Sequence, residues 1–121
     1  MNYQILRYAN VFGPRQPIYG EVGVIAIYTD RLIKGKELII FGDGKHQRDY
    51  IYVDDVVEFT VKSIQFKTPA VYNIGRGIPV TVNEIFQEFQ ANDPQHKHAV
   101  HKPERFGEIG NFYSNIDCAL K

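Results

Sequence analysis

The sequence predicts a mixed α/β fold, and three observations carry that prediction. Runs of strand length, alternating or wholly apolar, stand at Tyr3–Tyr8, Leu38–Phe41, Tyr50–Val53 and Val71–Ile74. Three other stretches return their apolar residues at helical spacing, and glycine- or proline-rich turns separate the two kinds. The resulting order is β-loop-α-β-β-α-β-α-β plus a tail, with no internal repeat and no low-complexity linker.

Taken in order, Tyr3 to Tyr8 carries Ile5 and Leu6 and reads as a short buried strand. Val11-Phe12-Gly13-Pro14-Arg15-Gln16-Pro17 then reads as a loop, which leaves Asn10 at the strand's C-terminal edge. In open α/β sheets ligands collect at that edge. From Gly23 onward Val24, Ile25, Ile27, Tyr28 and Leu32 form a helical stripe, and Lys34-Gly35 supplies the cation and glycine that end a helix. Asp54 and Asp55 stand where an N-cap and a first-turn carboxylate belong, ahead of Val57, Val61 and Ile64. Adjacent aspartates also evoke a metal or acid–base pair, but capping accounts for them without one. Thr81-Val82-Asn83-Glu84 matches a capping box, with Val82, Ile85, Phe86 and Phe89 on one face behind it and Asn92-Asp93-Pro94 as the stop. Gln95 to Lys102 carries His96, His98 and His101 among lysines. With no nearby cysteine or carboxylate to close a tetrahedral set, a solvated strand is expected there and no metal site. Glu104 to Glu108 forms a second charged turn, and Ile116 to Leu120 looks like the start of another helix.

The 121 residues amount to one domain by length, with 44% apolar and 13% aromatic content. Formal net charge is zero, so the charge balance carries no nucleic-acid or membrane footprint. The single cysteine, Cys118, rules out an intrachain disulfide. With no signal peptide and no bilayer-length apolar run, a cytoplasmic location is expected. A chain that enters a strand at once often begins inside a domain, so truncation is expected too.

The centre of the pattern is Phe41 to Asp55, FGDGKHQRDYIYVDD. Two readings fit it. A phosphorylated ligand could use the backbone access given by Gly42 and Gly44 together with a guanidinium fixed at Arg48. Alternatively, this is an ordinary hairpin whose Arg48 pairs with Asp43, Asp49 or Asp54. The residues alone leave both open, and the hairpin is the simpler account.

The order of the motifs is more specific than any one of them. LRYANVFGPRQ, then GVIAIYTDRLIKGKELIIFGDGKHQRDYIYVDDVVE, then VYNIGRG, then ERFGEIGNFYSNID resembles the C-terminal half of the NAD-dependent epimerase/dehydratase family. These are extended short-chain dehydrogenases acting on nucleotide sugars, and the likeness is greatest to the UDP-glucose 4-epimerases. The resemblance implies a mixed α/β nucleotide-sugar-binding domain over residues 12–121, with residues 1–11 as one residual Rossmann strand and its exit. It also implies an N-terminal Rossmann half holding NAD, a cofactor this chain is not expected to bind alone. Neither the glycine-rich GxxGxxG loop nor a Tyr-x-x-x-Lys pair occurs in the sequence, so no catalytic residue is assigned.

By the same resemblance, Asn10 lies near sugar and phosphate, and Gly23 and Val24 form a helix start whose backbone approaches the diphosphate. Phe41 falls beside the uracil, Arg48 and Arg105 on the diphosphate, and Glu108 on the ribose hydroxyls. Without the likeness, Arg105 and Glu108 would read as an exposed ion pair. Phe112 occupies a position where bulk implies a plain hexose rather than an N-acetylhexosamine. Departures from the family pattern are Phe106 for a usual Pro, Asn115 for a usual Asp and Cys118 where Lys is frequent.

The function expected is the UDP-sugar-binding portion of an epimerase, inactive alone. Two alternatives are the substrate half of a 4,6-dehydratase and a non-catalytic oligomerisation or regulatory module. Expected partners are a nucleotide sugar, a second copy joined by dimerisation or strand exchange at the open edge of the lone first strand, and a separate Rossmann chain.

Overall fold

The computed structural model describes residues 3–20, 22–95 and 98–120. Its elements are β1 (Gln4–Tyr8), β2 (Asn10–Phe12), α1 (Val24–Ile33), β3 (Ile39–Phe41), β4 (Gln47–Tyr52), α2 (Val53–Ser63), β5 (Ala70–Ile74), β6 (Pro79–Thr81), α3 (Val82–Asn92), β7 (Val100–Lys102) and β8 (Asn111–Phe112). This is the mixed α/β arrangement the sequence predicts, with three short strands, β2, β6 and β8, that it does not.

β4 organises the sheet. Its first half, Gln47 to Asp49, pairs antiparallel with β6, and Gln47 and Arg48 pair in parallel with β8. Its second half pairs in parallel with β2, Asn10 opposite Tyr50. β8 and β2 therefore follow one another along the edge of β4 that β6 leaves open, with Phe112 and Asn10 on either side of the junction at Asp49. Successive residues of a strand face opposite ways, so Tyr50 and Ile51 enter different cores. Tyr50 packs with Tyr28, Leu38, Ile40, Ile85 and Phe86, and Ile51 packs with Val56 and Ile74.

Val11 and Phe12 correct the sequence reading, which places them in a loop. They extend the sheet beside Ile51 and Tyr52, and the loop begins only at Gly13. There φ is +152°, and a Cβ would come within 2.5 Å of Val53 Cγ1. β1 is not alone: it pairs in parallel with β5 over five residues, Gln4 opposite Ala70 through Tyr8 opposite Ile74. Nor is it buried throughout, since Ile5 and Tyr8 are about half exposed, at 46% and 47%.

Helix α1 spans the expected stripe, and Gly35 takes φ +61° just beyond its C-cap, Lys34. α3 carries the expected capping box in full. α2 differs. Its N-cap is Tyr52, no side chain caps it, and Asp54 and Asp55 lie in the first turn. Their carboxylates favour the helix through its dipole rather than by accepting a cap hydrogen bond. Ile116 to Leu120 forms a single turn, closed by Ala119 and Leu120 N–H donating to the Ile116 carbonyl. In the histidine segment, Val100–Lys102 is the strand β7, paired with β3; His96 lies outside the described residues. Among the described residues no helix is long and apolar enough to cross a membrane.

Candidate functional site

The Gly-Asp-Gly turn has a packing reason that the sequence does not disclose. Gly42 and Gly44 take φ +68° and +72°, and a Cβ on Gly44 would stand 2.1 Å from Asn83 Oδ1. Asn83, in the first turn of α3, donates its side-chain N–H to the Asp43 carbonyl and its backbone N–H to the Gly44 carbonyl, at 2.9 and 3.1 Å. Gly44 thus lets the β3–β4 turn lock onto α3, and neither Gly42 nor Gly44 lines either of the site's two cavities.

Two ligand-sized cavities lie nearby, lined by residues of β3, β4 and the 104–112 segment. A larger open cavity, about 920 Å³, is walled by Asn10, Gly23, Arg48, Arg105, Glu108 and Phe112. A smaller, deeper one, about 210 Å³, is walled by Val24, Phe41 and His46 and shares Arg105 and Glu108 with the first. All eight residues singled out from the sequence, contributed by β2, α1, β3, β4 and the 104–112 segment, therefore stand at two adjoining cavities.

Arg48 is held by carbonyls and not by the aspartates that the simple hairpin reading offers it. Its Nη1 donates to Gln47 O and Gly110 O, each at 2.8 Å, and its Nη2 donates to Ile109 O. A guanidinium has five N–H donors, and these bonds use three of them. Arg105 is placed differently, its Cζ lying 3.9 Å from the centroid of the Phe41 ring, within cation–π range. Arg105 and Glu108 are not ion-paired with each other. Glu108 Oε1 instead lies 3.9 Å from His46 Nδ1. At the cavity wall α1 begins at Gly23 with no side-chain cap, so its first-turn N–H groups and dipole are turned to whatever fills the space.

Two residues whose roles the sequence reading does not find shape the site, Asp49 appearing there only as a possible partner of Arg48. Asp49 is fully buried and accepts from the backbone N–H groups of Arg76, Gly77 and Ser114. His46 reaches two carboxylates, with Nε2 2.9 Å from Glu104 Oε1. Neither stands out in the sequence because both contacts bridge segments more than 25 residues apart. Burial raises the Tyr50 hydroxyl pKa above its ordinary 10.0, Arg48 opposing that shift and Glu108 adding to it.

A solved structure of UDP-glucose 4-epimerase from Thermotoga maritima, with UDP-glucose, superposes with a TM-score of 0.90 at 43% identity, covering 98% of this chain and 38% of that one. UDP-N-acetylglucosamine 4-epimerase from Methanobrevibacter ruminantium, in complex with UDP-N-acetylmuramic acid, gives 0.93 at 30% identity, over 100% of this chain and 39% of that one. In class, then, the architecture is that of the Rossmann-type epimerases. The chain belongs to the NAD dependent epimerase/dehydratase family, whose model matches residues 1–75. A provisionally named UDP-glucose 4-epimerase of Methanocaldococcus jannaschii is 40% identical over 119 residues, 98% of this chain. The chain spans 39% of that relative's length.

Proposed function

We propose that the chain is the nucleotide-sugar-binding portion of an NAD-dependent sugar epimerase of the UDP-glucose 4-epimerase type. The observation that carries this reading is the presence of Arg48 and Arg105 in one cavity, opposite the uncapped start of α1. Two guanidinium groups and a helix N-terminus suit a diphosphate. The apolar recess beside Phe41 suits a uracil ring, Glu108 can accept from ribose hydroxyls, and Asn10 and Phe112 border the space left for the hexose.

Residues 1–11 act in this reading as a strand of the Rossmann sheet, and 12–121 as the substrate domain. The residues around the cavities include no glycine-rich strand-to-helix turn of the GxxGxxG kind and no Tyr-x-x-x-Lys. They do not fit NAD, so they support no hydride step, and the chain by itself is inactive. A Rossmann half, in the same polypeptide or in another, would supply the cofactor site. A homodimer or strand-exchanged oligomer would cover the exposed Ile5 and Tyr8 of β1 and Val57, Val61 and Ile64 of α2.

The test is a thermal melt with UDP-glucose. A ligand at 100 times its Kd adds about 2.7 kcal/mol, so the expected result is a rise in Tm that grows with the logarithm of ligand concentration above Kd and is lost in Arg105→Ala. No rise at millimolar UDP-glucose would leave the non-catalytic module as the better account.

A further inference from the structure

His46 stands at the wall of the smaller cavity, on the turn that leads into β4, and the two carboxylates it reaches belong to the segment that carries Arg105. Nε2 is 2.9 Å from Glu104 Oε1, and Nδ1 is 3.9 Å from Glu108 Oε1. The imidazole is mostly shielded, its side chain 21% exposed, while Glu104 is 60% exposed. A neutral imidazole can donate its one N–H to Glu104 at hydrogen-bond distance; an imidazolium does so and also attracts Glu108, 3.9 Å from Nδ1, as an ion pair.

The other charged and titratable groups around His46 come from several elements. Its own turn contributes Asp43 and Lys45, whose charges pair at 3.5 Å. α1 contributes Tyr28 and Arg31, and the 104–108 segment adds Arg105 between the two acids. β7 contributes His101, bonded to the Gly42 carbonyl at 3.0 Å. Of the acids, Glu104 and Glu108 are the pair that lies within 4 Å of the imidazole nitrogens.

We infer that His46 is a positioning residue: in its charged form it clamps the Glu104–Glu108 segment by both carboxylates, and so strengthens the cavity's hold on an anionic ligand as pH falls. This rests on the nucleotide-sugar reading of the cavity. Two effects act in the same direction. The clamp fixes the segment that presents Arg105, and its one positive charge offsets part of the negative charge of two acids that would repel a diphosphate. Each exposed ion pair is worth little alone, so the expected gain is about five-fold in affinity between pH 8 and pH 5.5.

UDP-glucose is the probe, because both its phosphates are esterified and neither titrates in that range. Isothermal titration should show the chain binding UDP-glucose about five-fold more tightly at pH 5.5 than at pH 8. His46→Gln should bind weakly at both, and His46→Arg, charged throughout, should bind tightly at both. Glu104→Gln separates clamping from a simple field of the imidazolium: the clamp requires the pH effect to shrink, whereas an unchanged effect overturns it. A second readout needs no ligand. Hydrogen exchange at Glu108, whose N–H donates to the Arg105 carbonyl, corrected for its intrinsic rate, should be slower at pH 5.5 in the wild type and insensitive to pH in His46→Gln. Equal protection at the two pH values in the wild type overturns the clamp whatever binds. Protection that changes as stated, with no UDP-glucose binding at either pH, keeps the clamp and removes both the nucleotide-sugar reading and the gain in affinity.

Discussion

Asp49 accepts the backbone N–H of Arg76 at 2.9 Å and that of Gly77 at 3.0 Å, and these bonds tie the middle of β4 to the turn after β5. A third donor, Ser114 N–H at 3.4 Å, brings in the chain beyond β8. Gly75 allows the approach, since a Cβ there would stand 2.2 Å from Asp49 Oδ2. One buried carboxylate thus collects the strand that bears Arg48, the turn beside it and the tail that carries Phe112.

Removing that acceptor strands three part-buried donors, each costing toward the lower end of the roughly 1–3 kcal/mol of an unsatisfied buried group. Asp49→Ala is therefore expected to cost about 3 kcal/mol, a large share of a small domain's stability. Gly75→Ala, which forces the carboxylate aside, is expected to cost about 2 kcal/mol. Urea unfolding checks both. Values within about 0.5 kcal/mol of the wild type, the range of ordinary surface changes, would mean that the tie is not structural.

Tyr28 gives an alkaline prediction. It is 1% exposed and donates its hydroxyl to the Ile39 carbonyl at 2.9 Å, and burial first, then Tyr50, pushes its pKa up to about 12, Arg31 opposing. The folded state thus keeps a proton that the unfolded chain releases near 10.0. Its contribution is whole below pH 10, declines as pH rises toward 12 and is then gone. Tyr28→Phe should lose about 1 kcal/mol at pH 8 with the hydrogen bond. The difference between the two proteins should narrow across that alkaline window; a constant gap would contradict the assignment.

The capping box of α3 makes the opposite, acidic prediction. Glu84 is held below its ordinary 4.5, first by the Thr81 backbone N–H and then by the Thr81 hydroxyl. A depressed folded pKa contributes stability that is present above 4.5 and lost as pH falls through the folded value. Glu84→Gln should therefore be less stable than the wild type at pH 7, and the two should converge below pH 4. Thr81→Ala, which removes the cap acceptor, should cost about 1 kcal/mol at pH 7. Circular dichroism melts across pH 3–7 would reveal parallel rather than converging curves if the box were idle.

Sequence reading is strong where local chemistry decides. α1 has its stripe and its Lys34-Gly35 end, α3 has its capping box, and the runs near Ile40 and Ile51 are apolar enough to declare strands. It is weak where pairing over distance decides. β2, β6 and β8 are two or three residues long, too short to show a period, and exist because β4 offers them an edge. The eight candidate residues come from motif order rather than from chemistry visible in any one of them. The roles of His46 and Asp49 escape sequence reading because each is defined by partners far along the chain. The glycines of the β3–β4 turn point toward a ligand in the sequence, yet the reason for Gly44 is Asn83, 39 residues further on.

Phe112 supplies the last prediction, on which sugar the cavity takes. It pairs with Arg48 across β4 and β8 and stands at the cavity wall, 51% exposed. On the proposed function, an aromatic ring there would narrow the space left for a hexose, and an N-acetyl group would have to displace it or remain outside. Because half the ring is already in solvent, Phe112→Ala should cost little stability, within about 1 kcal/mol. The change should be in discrimination: the wild type should prefer UDP-glucose to UDP-N-acetylglucosamine in a competition assay, and Phe112→Ala should reduce that preference about ten-fold, the order expected for a few heavy atoms of steric exclusion. Equal competition by the two nucleotides against the wild type would show that the ring excludes nothing. An unchanged preference in the variant would move the selectivity to other residues of the wall, Asn10 first, since it flanks the same junction on β4.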